Sequence, residues 1–281
     1  MGRKVTIQGV EGCFHDAAAR EFFSEEEIAT VACETFPAMA EKILADPSFL
    51  GIMAIENTIA GSLLQNHEII HKCGLQIAGE YKMRISHVLA ALPGQNIESL
   101  REVDSHPIAL MQCEEFLRRH PNLKMIEKFD TAGSAREIAE RNLEGHAAIC
   151  GEYAARLYGL EIMERGIETN KRNFTRFLIV KHPDNPEDVS RGEKADKSSI
   201  VFTLPHTQGA LSKVLTILAF YDLNLTKIQS FPIIGREWEY KFYIDLAFDN
   251  PDRYHQAVEA ARPLTSRFKI LGEYPGCKKI L

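Results

Sequence analysis

The stretch NFTRFLIVK, residues 173–181, sets a hydroxyl, Thr175, and a fixed positive charge, Arg176, at the mouth of an otherwise apolar strand. A hydroxyl can donate a hydrogen bond or a proton to a departing oxygen, and a guanidinium can grip a carboxylate through two parallel N–H bonds. Four other segments break the apolar pattern with polar groups where strands end and helices begin. AIENTIAGS, 54–62, puts Glu56 and Asn57 straight after an apolar run; a helix cap by Asn57 or Thr58 is the competing reading. DSHPIALMQC, 104–113, brings Ser105 just ahead of Pro107, a usual first helical residue, so Ser105 reads as an N-cap. Gln112 in the same segment stands at helical spacing from Ile108 and Phe116, its amide turned to something buried or to a ligand. GVEGCF, 9–14, follows the first strand and opens a helix, where its glycines let backbone N–H groups approach an anion; a plain tight turn is the simpler account. DTAGSA, 130–135, reads as a cap by Asp130 or Thr131, and His87 in RISHVLAAL reads as a core histidine.

No P-loop, no G-x-G-x-x-G and no Ser-His-Asp or Cys-His arrangement occurs, which argues against phosphoryl-transfer, redox and nucleophilic chemistry. The residues offer a cleft of amides, hydroxyls, one carboxylate and one arginine.

The elements that must position them follow from periodicity. From residue 4 to about 180 short apolar runs such as KVTIQG, LGIMAI and HAAIC alternate with helical patterns, which predicts an α/β body with a largely parallel sheet. HPDNPEDVSRGEKADK, 182–197, has two prolines and many charges and predicts an exposed connection. Beyond it the order is β-α-β-β-α-β, with Trp238, Tyr240, Phe242, Ile244 and Leu246 alternating along one strand, the ferredoxin-like pattern. The 281 residues carry 26% charged and 45% hydrophobic side chains and a net charge of -6, ordinary for a globular protein and without a basic surface for nucleic acid. Six cysteines lie far apart with no C-x-x-C pair, no run reaches membrane length, and a reducing cytoplasm is expected.

Taken in order, GVEGCF, AIENTIAGSL, SHPIALMQC, DTAGSA, AAICGEYAARLYGL and NFTRFLIV resemble the motifs of prephenate dehydratases, lyases that form phenylpyruvate on the phenylalanine pathway. HTQGALSKVL with LNLTKIQSFP resembles the ACT regulatory domain that follows in that family, so the resemblance covers almost the whole chain. It implies a two-lobed catalytic region similar to periplasmic binding proteins over 1–182, with lobe one from 1–78 and 162–182 and lobe two from 79–161. A linker over 183–197 and the ACT domain over 198–281 follow.

By motif match the resemblance assigns catalysis to Thr175, Glu56, Asn57, Gln112 and Ser105, and substrate contacts to Arg176, Phe177, Thr58 and Cys13. Thr175 would donate to the leaving hydroxyl of prephenate and Arg176 would pair with a carboxylate. No cofactor or metal is implied. L-phenylalanine would bind the ACT domain at a subunit interface around Gly209, Ala210, Leu211, Asn224 and Leu225, with Gln229, Ser230 and Pro232 alongside, in a homodimer or homotetramer. Two departures stand out: the usual Gly-Thr-Phe-Ser reads Gly12-Cys13-Phe14-His15, and Glu-Ser-Arg-Pro reads Gln229-Ser230-Phe231-Pro232. The alternatives are an arogenate dehydratase, the same elimination on an aminated substrate, and a non-catalytic small-anion sensor.

Overall fold

The computed structural model describes residues 2–233, 235 and 239–277; Trp238 of the expected alternating strand lies outside them. The chain opens with β1 (Arg3–Gln8), α1 (Phe14–Phe22), β2 (Ile28–Cys33), α2 (Phe36–Ala45), β3 (Phe49–Asn57), β4 (Gly61–Ser62), α3 (Leu64–Lys72) and β5 (Gln76–Arg84). A second series follows: β6 (Val88–Ala91), β7 (Glu102–Ser105), α4 (Pro107–Gln112), α5 (Glu114–Arg119), β8 (Lys124–Glu127), α6 (Thr131–Arg141), β9 (His146–Cys150), α7 (Glu152–Leu157) and β10 (Glu161–Arg165). Strand β11 (Phe174–Lys181) then returns to the first sheet. The C-terminal module comprises β12 (Lys197–Thr203), α8 (Ala210–Phe220), β13 (Asn224–Pro232), β14 (Tyr240–Ala247), α9 (Pro251–Ala261) and β15 (Ser266–Tyr274).

Three sheets result. The first runs β2-β1-β3-β11-β5, with β4 paired to β3; the second runs β10-β6-β9-β7-β8. Each mixes parallel pairs, β1 with β2 and β3, β7 with β8 and β9, and antiparallel ones, β11 with both its neighbours and β6 with both of its own. The third, β13-β14-β12-β15, is antiparallel throughout and carries the expected β-α-β-β-α-β order. Local chemistry sets the helix starts: Thr35 caps α2 ahead of Pro37, Asp130 caps α6, and Asn250 caps α9 ahead of Pro251.

The expected two lobes and small α+β module are present, with differences at their borders. Strand β5 stays in the first sheet to Arg84 and β10 belongs to the second, so the chain crosses between lobes at 85–87 and 166–173, not at 78 and 162. The expected linker is no free tether. Asn185 and Val189 are buried, Val189 in the core of the catalytic body, and Arg3 pairs with Glu187 at 2.8 Å.

The module shares a core with lobe one. Met39, Ile43, Ile77, Leu178 and Val180 pack with Val201, Tyr243, Leu271 and Tyr274. Strand β15 crosses so close to β5 that a Cβ on Gly272 would overlap the Ile77 carbonyl, so only glycine fits there. A further core of small residues, among them Ala90, Ala132, Ala148 and Cys150, joins lobe two to Val5, Ile7 and Ile52 of lobe one.

Candidate active site

Between the two lobes lies a cleft of about 340 Å³. Lobe one supplies Cys13, Phe14, His15, Asn57, Thr175 and Phe177 to its wall, and lobe two supplies His106, Gln112, Asp130 and Thr131, with His87 from the crossing segment.

Strand register explains which residues arrive. Thr175 pairs with Asn57 and Arg176 with Glu56 across β11 and β3. Side chains of successive strand residues point to opposite faces, so Thr175 and Asn57 share the cleft while Arg176 and Glu56 share the other side. A bulge follows, with Phe177 opposite Ala54, and Ile55 is the extra residue. The bulge lets Ala54 and Asn57, three apart, both line the cleft.

The Thr175 hydroxyl has a fixed sense. Backbone N–H groups of Ile59 and Ala60 donate to Asn57 Oδ1 at 2.9 and 2.8 Å, so the other Asn57 terminus is its NH2. That NH2 donates to Thr175 Oγ1 at 3.0 Å. Thr175 oxygen is thus an acceptor within the protein, and its own hydrogen is left for whatever occupies the cleft. Phe177, 1% exposed, walls the site with the His15 ring set edge-on at 5.2 Å.

Several expected residues lie elsewhere. Arg176 was expected to hold a substrate carboxylate; it is buried on the far face, its Nε 2.6 Å from Glu80, its Nη1 on Asp245 and its Nη2 3.1 Å from the Tyr274 hydroxyl. Glu56 likewise faces the module and pairs with Lys227 at 2.7 Å. Strand alternation is the reason, and adjacency of 56 to 57 and of 175 to 176 was the signal for it in the sequence. Ser105 is fully buried, donating to the Ile149 carbonyl at 2.6 Å; the N-cap of α4 is His106, one residue later, whose Nδ1 accepts from Ile108 N. Thr58 donates to the Arg172 carbonyl at 3.0 Å and accepts from Phe174 N at 2.9 Å, clamping the start of β11 outside the cleft.

Cys13 does line the cleft, at the start of α1, with its thiol on the Gln8 carbonyl. Burial, and then the nearby Asp130, push its pKa up to about 12, so it stays a thiol. His15 accepts from Ala54 N at 3.3 Å, and burial pushes its pKa down to about 4, leaving a neutral ring with its remaining N–H at Nδ1. Two residues passed over in the sequence belong to this wall. His87 is 1% exposed and touches Gln112, 25 positions away, a proximity no local pattern foretells. Asp130 commits Oδ1 to capping α6 at Gly133 N, while Oδ2 points across to lobe one, 3.2 Å from where a Cβ on Gly9 would lie. Among the described residues no lysine or arginine lines the cleft, so Asp130 is its only fixed charge.

In the module, Ala210 and Leu211 line a small hollow of about 130 Å³ with Tyr240 and Phe242, beside Gly209 at φ 73°. Asn224, Leu225, Gln229, Ser230 and Pro232 run along edge strand β13 and do not enter that hollow. Outside the lining of the cleft, Glu102, Asp104 and His146 come close enough to share an ion, yet Lys128 already stands 3.7 Å from Asp104 as counter-charge. Among the described residues no helix is long and apolar enough to cross a membrane.

Residues 5–185 match the family model for prephenate dehydratase. Arogenate dehydratase/prephenate dehydratase 2, chloroplastic, of Arabidopsis thaliana is 35% identical over 97% of this chain and 72% of its own length. The crystal structure of a prephenate dehydratase from Arthrobacter aurescens in complex with L-Phe superposes with a TM-score of 0.84 at 28% identity, covering 97% of this chain and 89% of that one. GqqA, described as a novel type of quorum quenching acylase, superposes with a TM-score of 0.87 at 28% identity over 98% and 99% of the two chains. With residues 5–185 matched by the family model and a relative 35% identical over 97% of this chain, the chain belongs to the prephenate dehydratase family.

Proposed function

We propose that the cleft binds prephenate with its ring hydroxyl at Thr175 and converts it to phenylpyruvate. The observation that supports this is the direction of the Asn57–Thr175 hydrogen bond, which uses the threonine oxygen as acceptor and so leaves its hydrogen for a ligand. In the reaction the bond between the ring and its carboxylate breaks, its electrons enter the ring, and the C–O bond breaks with its electrons on oxygen. With one proton taken up, the dianion yields phenylpyruvate, CO2 and water. Aromatisation supplies the drive, so the protein need only orient the ring and stabilise the departing oxygen. An alcohol is a weak acid; Thr175 acts chiefly as a preorganised donor, joined by the Gln112 amide. The start of α1, which has no side-chain cap, and the Nδ1–H of His15 offer donors to carboxylates in place of the displaced Arg176. Thr175→Val should lower kcat by about 10²–10⁴-fold with unchanged folding, and Thr175→Ser should keep most of it, read as phenylpyruvate absorbance. A valine variant as fast as the parent would refute the role.

The charge of the cleft favours a second substrate as well. A wall with one aspartate, three histidines and, among its described residues, no lysine or arginine also suits arogenate, whose ammonium offsets one carboxylate. The C-terminal module is read as an ACT domain that binds L-phenylalanine and lowers activity, with edge strand β13 as the site of pairing between copies of the chain. Cys13, Cys33, Cys73, Cys113 and Cys150 are free thiols, which accords with a reducing cytoplasm.

A further inference from the structure

The directional logic that fixes Thr175 runs on beyond it. Asn57 Nδ2, identified as a donor by the backbone of Ile59 and Ala60, also meets Asn173 Oδ1 at 2.7 Å. The other end of Asn173 is therefore its NH2, which donates to Gln112 Oε1 at 3.0 Å. His87 Nε2 lies 2.9 Å from the same oxygen, so it too must donate. The neutral Nε2–H tautomer of His87 is thus imposed from two backbone N–H groups, through three amides. Its Nδ1 is buried with no partner among the described residues, so the contact to Gln112 is what sets the ring. Phe14 stands edge-on to that ring at 5.4 Å, and burial lowers its pKa, which keeps it uncharged.

Two donors on one oxygen leave Gln112 no freedom to turn over. Its Nε2 has no hydrogen-bond partner among the described residues, and the side chain lines the cleft beside Thr175. With the amide reversed, an oxygen lone pair would face the departing hydroxyl and repel it.

We infer that His87, together with Asn173, is a positioning residue: it holds the Gln112 amide with oxygen to the wall and N–H to the ligand, so that Gln112 and Thr175 both present donors. This rests on the dehydratase reading above. The members come from both lobes and from the crossing segment, so the donor pair assembles only when the lobes are in register.

Paired variants separate positioning from bulk. His87→Gln keeps an N–H near the place of Nε2; His87→Asn is too short to reach Gln112. His87→Asn is expected to lower kcat for prephenate by about 10- to 100-fold, short of the loss of an oxyanion donor itself, with KM changed by less than about threefold, and His87→Gln to recover most of it. In a Gln112→Ala background the same His87→Asn change should alter kcat by less than about twofold, since no amide remains to be held. Equal losses in the two His87 variants, or an undiminished loss in the Gln112→Ala background, would overturn the inference. Nitrogen NMR of histidine-labelled parent protein needs no variant: a protonated Nε2 and a bare Nδ1 at His87 are expected, and the opposite tautomer would sink the assignment even if the variants fail to fold. A parent that forms no phenylpyruvate would instead overturn the dehydratase reading, with the tautomer measurement still standing.

Discussion

At the scale of single residues, function here turns on which end of a hydrogen bond each group presents. Thr175 and Gln112 are donors because everything behind them is committed to the opposite sense. Asp130 adds the one fixed charge among the described residues of the cleft. Asparagine caps a helix about as well as aspartate, so Asp130→Asn should leave the melting temperature nearly unchanged while removing that charge from the cleft. The expected outcome is a rise in kcat/KM for prephenate and a fall for arogenate, together shifting the ratio by about tenfold, or roughly 1.4 kcal/mol. Steady-state kinetics on both compounds check this; equal effects on the two would mean that Asp130 does not read the amine.

At the scale of elements, β11 serves two sides of one sheet. Its cleft face carries Thr175 and Phe177, and its opposite face carries Arg176 into a buried set of charges with Glu80, Asp245 and the Tyr274 hydroxyl, while Lys197 reaches Glu80 at 2.7 Å. Burial raises the Asp245 carboxyl, but Arg176 and the Ser199 hydroxyl outweigh it and hold the pKa below its ordinary value. Removing one partner of a buried pair leaves an uncompensated charge and costs about 3–5 kcal/mol. Arg176→Ala should therefore destabilise the protein by that order in urea unfolding, and loosen β15 from β5, visible as faster amide exchange along both strands. Loss of activity with stability intact would instead return Arg176 to the substrate.

At the scale of the whole molecule, the module is fused to lobe one through a shared core and through groups whose ionisation depends on burial. His67 is 2% exposed, its ring nitrogens have no partner among the described residues, and its ring lies 5.5 Å from that of Tyr243 in the module. Burial pushes its pKa down to about 4. An unfolded histidine titrates near 6.5, so as pH falls from about 6.5 toward 4 the unfolded chain takes up a proton that the folded one refuses, and stability declines. His15 acts in the same direction. Glu80 and Asp245 have lowered pKa values, so their contribution is full above the ordinary carboxylate range and is lost as pH falls below about 4. Urea midpoints should therefore drop between pH 7 and 4.5 and again below 4. A flat profile from 7 to 4.5 would show that His67 and His15 are not held neutral by the fold.

The sequence by itself determined the α/β character of the body, the β-α-β-β-α-β module and the family, because periodicity, caps and short motifs are local properties of the chain; the largely parallel sheet expected of the body is two sheets that mix parallel and antiparallel pairs. It also marked Thr175, Asn57, Gln112, Phe177 and Cys13, all of which reach the cleft. Only the tertiary structure decided faces and partners. Glu56 and Arg176 went to the module because strand alternation opposes neighbours, and Ser105 and Thr58 were taken up by backbone carbonyls. His87 joined the site through contacts spanning 25 residues to Gln112 and on to Asn173, 61 further along the chain. Hydrogen-bond direction is a property of who sits opposite, and a linear string of residues does not carry it.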